Sequence, residues 1–205
     1  MIIPRDALKR LYLVGNRLHH LPPTGDSVPP LIELLDEALR LSAYVTVDEL
    51  GEGFDELEAS IAGVRAACGR ARATEHDLVG VWSGPAQEAF GRGVTAVTEQ
   101  LTRVESAIYR AGEIRNTLTG GITEVTGVIE TGRGRLAAAY ELTSGLGRLV
   151  EAFGEEHRFV SRFEQAQREG TTGVSLVHQA WVRFDRISAD ARDALDHVRA
   201  ALAAN

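Results

Sequence analysis

Val47, Leu50, Phe54, Leu57, Ile61, Val64, Cys68 and Ala71 recur at spacings that alternate three and four, and so do Phe90, Val94, Val97, Leu101, Val104, Ile108 and Ala111. An apolar residue at every third or fourth position keeps one side of an α-helix against a neighbour for many turns; strand side chains, which alternate sides, cannot use that pattern. Each run is therefore expected to be a long helix that needs a partner along its length. Between the runs, Gly80 to Pro85 breaks the pattern over about six residues, a common length for a helix–helix connection, so the second helix folds back along the first. Thr46-Val47-Asp48-Glu49 begins the first arm as a capping box: the threonine oxygen accepts the Glu49 backbone N–H, and Glu49 reaches back to the Thr46 N–H. Glu75 interrupts the first seam and Leu78 resumes it. At ~1.5 Å per residue this arm measures about 50 Å. The expected fold is all-α, an elongated helical bundle built on a long antiparallel hairpin.

Charge supports the pairing. Asp48, Glu49, Glu52, Asp55, Glu56 and Glu58 crowd the start of the first arm, and Arg65, Arg70 and Arg72 lie toward its end, which matches the helix dipole at both ends. Folding the chain back about Trp82 brings the acidic start near Arg103, Arg110 and Arg115 on the second arm. Exposed pairs of this kind set alignment more than stability.

The flanks also read as helix. A short helix is expected over Asp6 to Leu18, then a loop through Leu21-Pro22-Pro23-Thr24-Gly25-Asp26. A second is expected from about Pro30 to Tyr44, because prolines suit a first turn whose N–H groups have no partner; Leu31, Leu34, Leu35, Ala38 and Leu41 form its apolar stripe. Beyond Leu118, Gly120, Gly121, Gly127, Gly132 and Gly134 weaken a helix and Ile122 to Ile129 is rich in β-branched residues, so a strand is the alternative there. A weakened helix is preferred, since Ile122, Val125 and Ile129 hold the three-four spacing and no second strand is evident. Leu136 to Arg168 is expected to be another helix with a weak spot at Gly145 and Gly147. Glu169-Gly170-Thr171-Thr172-Gly173 is expected to break the chain before a final helix with Val174, Val177, Trp181, Phe184, Ile187, Ala191, Leu195, Val198 and Leu202 on one face. At 205 residues the whole is expected to be one helical domain, with an N-terminal segment (1–45), the hairpin (46–118) and C-terminal helices (119–205).

Trp82-Ser83-Gly84, followed by Pro85-Ala86-Gln87-Glu88-Ala89-Phe90, resembles the hairpin turn of the WxG superfamily, whose small helical-hairpin members are exported by type VII systems and whose larger relatives include the Pro-Pro-Glu proteins. The resemblance covers Val47 to Glu113. Physically, Gly84 permits the tight backbone and Pro85 starts the next helix, while Trp82 either presents a large amphipathic surface at the tip or closes the end of the bundle. The superfamily also uses a Tyr-x-x-x-Asp/Glu export signal. Tyr109-Arg110-Ala111-Gly112-Glu113 fits it with both side chains on one helical face, and Tyr44 to Asp48 fits as well; an ordinary solvated helix face is the plain alternative. The resemblance implies Trp82, Gly84, Tyr109 and Glu113 as secretion and interaction residues.

No catalytic, cofactor-binding or metal site is expected. His19, His20, His76, His157, His178 and His197 are scattered without metal-ligand spacing, and adjacent His19 and His20 supply too few ligands to constrain an ion. Gly132-Arg133-Gly134 is not a dinucleotide fingerprint, and no nucleophile elbow or phosphate loop occurs. A formal net charge of -7 without a Lys/Arg cluster argues against nucleic acid as partner. The single cysteine excludes an internal disulfide. Arg5, Lys9 and Arg10 interrupt any apolar core of a signal peptide, so export is expected to follow a signal-peptide-independent route to the envelope or medium.

The leading expectation is therefore a non-enzymatic secretion substrate, targeting module or adaptor that binds a protein partner, either itself or a helical hairpin, together with the secretion apparatus. It is either whole or the targeting part of a longer toxin. A membrane-acting effector, in which the glycine-weakened segment 118–150 opens and inserts, is the second reading. A cytoplasmic structural bundle is the third.

Overall fold

The computed structural model describes residues 5–43, 62–63, 66–67, 69–70, 73–74, 76–77, 81, 84–152 and 154–203. Every residue of the first seam, the Thr46 capping box, the Tyr44 to Asp48 match, Trp82 and Ser83 lie outside the described residues. Described positions between 62 and 77 are helical. Among the described residues the only regular elements are helices, as the apolar spacing requires. These are α1 (Arg5–His19), a 3-10 turn (Gly25–Ser27), α2 (Val28–Ser42), α3 (Pro85–Thr143), α4 (Leu146–Glu151) and α5 (Glu156–Ala203).

The chain divides into two compact units, the first comprising Met1–Val47 with Gly120–Ser188 and the second Asp48–Thr119 with Ala189–Asn205. In the first unit, α1 carries Asp6 in its first turn and Arg17 in its last, an order of charge that suits the helix dipole. Ala7, Leu11, Val14 and Leu18 form its buried stripe. The two prolines sit in the first turn of α2, which starts at Val28 and buries Leu31, Leu34, Leu35, Ala38 and Leu41, the stripe read from spacing. At its far end the Ser42 hydroxyl donates to the Leu39 carbonyl at 2.7 Å and the Ala43 N–H to Arg40 O at 3.2 Å, so the helix closes two residues before its expected end. Arg10 reaches Glu37 at 2.8 Å and ties α1 to α2.

α3 passes through its glycines without a break. Its buried positions in this unit are Ile122, Val125, Ile129, Gly132, Leu136, Ala139 and Thr143, again alternating three and four. The β-branched residues are thus seam residues of a helix, not a strand. Facing them on α5 are Phe159, Phe163, Ala166, Gly170, Gly173, Val177, Ala180 and Phe184, which alternate four and three across the whole stretch. The two helices run antiparallel, because Glu124 meets Arg183, Arg135 meets Glu169 and Leu142 meets Arg162.

The expected break at Glu169 to Gly173 does not occur; α5 continues through it for 48 residues. The reason lies in packing. A Cβ on Gly173 would stand 2.8 Å from Gly132 O and 3.0 Å from Leu136 N, and one on Gly132 would stand 2.9 Å from Gly173 O. Here two helix backbones touch, and only glycine leaves room. Gly170 instead faces a side chain of α2, since a Cβ there would meet Leu35 Cδ2, the movable end of a leucine, at 2.6 Å. Burial of the surrounding apolar side chains offsets the ~1 kcal/mol that each helical glycine costs relative to alanine.

The chain does break where a weak spot was expected, and more completely. Gly145 (φ 83) and Gly154 (φ 85) adopt left-handed backbone on either side of α4, so the expected helix from Leu136 to Arg168 is three elements. Gly147 lies inside α4 and breaks nothing. Leu146 is fully buried and anchors this short helix to the unit. Side chains of α5 satisfy the helix ends beside it: Arg162 Nε donates to Leu142 O at 2.8 Å, and Gln167 Nε2 donates toward Leu18 O, Leu21 O and His19 O at 2.7, 3.0 and 3.2 Å. Carbonyls left over at the end of α1 thereby find a donor.

In the second unit the described residues are mainly the first part of α3 and the end of α5. Ala107 is buried, whereas Val94, Val104, Ile108 and Ala111 of the second seam are half-buried and Phe90 and Val97 are exposed. Of the final apolar face, Val198 is half-buried and Leu195 and Leu202 are exposed.

Candidate functional site

Gly84 has φ 110, a backbone that L side chains rarely adopt, although a Cβ there would meet no heavy atom within 4 Å. Backbone conformation alone calls for glycine at this position. Its carbonyl accepts the Gln87 N–H at 2.9 Å and the Glu88 N–H at 3.2 Å and so begins α3. Pro85 follows as the first helical residue, where its missing N–H has no intrahelical acceptor anyway, and Glu88 places negative charge in the first turn. Val81, on the other side of Trp82 and Ser83, is 84% exposed.

Twenty-five residues into α3, Tyr109 is 66% exposed and Glu113 is exposed on the same helical face. The Glu113 backbone carbonyl accepts the Thr117 hydroxyl at 3.0 Å, and Thr95, Thr102 and Thr131 of α3 likewise bond back to the carbonyl four residues earlier. Of the four residues singled out from the sequence, Gly84, Tyr109 and Glu113 are therefore placed on α3 or at its start, and Trp82 lies outside the described residues. Within the second unit, Arg103, Ser106, Ala107 and Arg110 of α3 line a cleft of 180 Å³ with Val198, Ala201 and Leu202 of α5. Sequence reasoning missed this cleft. Its signal was a second set of positions on α3, centred on Ala107 and offset from the Val104–Ile108 seam.

His19 and His20 stack edge to face with ring centroids 5.0 Å apart, and His178 lies against Tyr12 at 5.9 Å. His197 Nδ1 is 2.7 Å from the Asp193 carbonyl in the turn below. Among the described residues no three His, Cys, Asp or Glu side chains converge as metal ligands would. In the first unit, Arg135, Ala138, Glu141, Leu142, Arg162, Gln165 and Glu169 line an open groove, but its arginines are occupied in holding α3 to α5. Arg135 donates hydrogen bonds to the Glu169 carboxylate, and these bonds together with the carboxylate's negative charge hold the guanidinium above its ordinary pKa. Among the described residues, two buried polar atoms, Thr171 Oγ1 and the indole Nε1 of Trp181, have no hydrogen-bond partner.

The chain matches no family model, no curated protein and no solved structure.

Proposed function

We propose that this chain is a non-enzymatic substrate or targeting module of a type VII secretion system that acts through helix–helix protein contacts. In this reading the segment 46–78 is the first arm of a hairpin, α3 is the second, and Trp82-Ser83-Gly84 is the turn between them. The observation that carries the reading is the backbone at Gly84. A positive φ directly before a proline-initiated helix is the local geometry a Trp-x-Gly turn requires of its glycine, and nothing else about that position demands one. Support also comes from the exposure of Tyr109 and Glu113 on one face of the same helix, as an export signal read by a receptor needs. The protein then leaves the cytoplasm by the type VII route and meets its partner through a helical face.

Export from an actinobacterial host carrying a type VII system tests this. Tagged wild type is expected in the medium, whereas Trp82→Ala is expected to stay in cells with unchanged helical circular dichroism. Tyr109→Ala, which removes an exposed ring, is expected to reduce export without loss of stability. Equal retention of wild type and both variants would overturn the proposal and leave a cytoplasmic bundle. The membrane-acting reading predicts dye release from liposomes instead; against it, Gly121 and Gly132 are not loose points in α3 but close contacts with Ile187 and Gly173.

A further inference from the structure

We draw no further inference here: the strongest candidate, the exposed stripe of small residues along α3 at Gly120, Gly127 and Gly134, carries nothing because nothing in the structure shows what covers it.

Discussion

Gly127 and Gly173 are both helical glycines, and substitution by alanine should move stability in opposite directions. A Cβ on Gly127 meets open space, so Gly127→Ala is expected to stabilise the first unit by ~0.5–1 kcal/mol through a less flexible unfolded chain and better helix propensity. Gly173→Ala forces the backbones of α3 and α5 apart and is expected to cost ~1–3 kcal/mol, as overpacking does. Chemical denaturation followed by far-UV circular dichroism measures both, and equal effects would show that backbone contact does not govern these positions. Trp181 is 1% exposed with an unpartnered indole N–H, so its substitution sets lost packing against a relieved polar group. Trp181→Phe is expected to cost no more than ~2 kcal/mol, whereas Phe163→Ala, at a fully buried position beside Phe159, is expected to cost ~3–5 kcal/mol. A Trp181→Phe loss as large as that of Phe163→Ala would mean the indole N–H is satisfied in solution.

Helices here are stopped by chain geometry and finished by side chains from neighbours. Gln167 is the instructive case, since one amide group on α5 meets the carbonyls at the end of α1. Gln167→Leu removes the side-chain donor from those carbonyls, Leu18 O keeping only the Leu21 N–H at 3.4 Å, and is expected to cost ~1–3 kcal/mol. Faster hydrogen exchange should appear at the last turn of α1 and not in the middle of α3; a uniform change would argue for global loosening. The apolar stripe of α2 was legible in full, because two prolines marked its start and five residues at helical spacing marked its buried side. By contrast, the continuity of α5 through Gly170 and Gly173 was misread. Both glycines occupy seam positions between Ala166 and Val177, so the alternation itself held the signal that residue-by-residue propensity obscured.

For the molecule as a whole, burial dominates surface charge. The ion pairs Arg10–Glu37, Arg135–Glu169 and Arg183–Glu124 join helices, but each keeps its arginine exposed, and pairs open to solvent contribute little net stability. Raising sodium chloride from low to molar concentration is therefore expected to leave the unfolding midpoint nearly unchanged, and a large drop would show that charge, not the apolar seams, holds the helices together. Of the candidate site, the need for glycine at position 84, the helix start at Pro85 and the shared face of Tyr109 and Glu113 were readable in advance from local chemistry. The cleft between Arg110 and Leu202 was not, since its walls lie 92 positions apart in the chain.

The apolar spacing by itself determined that the described residues are helical and which sides of α2 and of the first-unit parts of α3 and α5 face inward, because helical periodicity is a local property. Tertiary structure alone decided what each glycine does. Gly145 turns the chain while Gly173 lets two helices touch, and the difference depends on which backbone lies opposite, which no local rule contains.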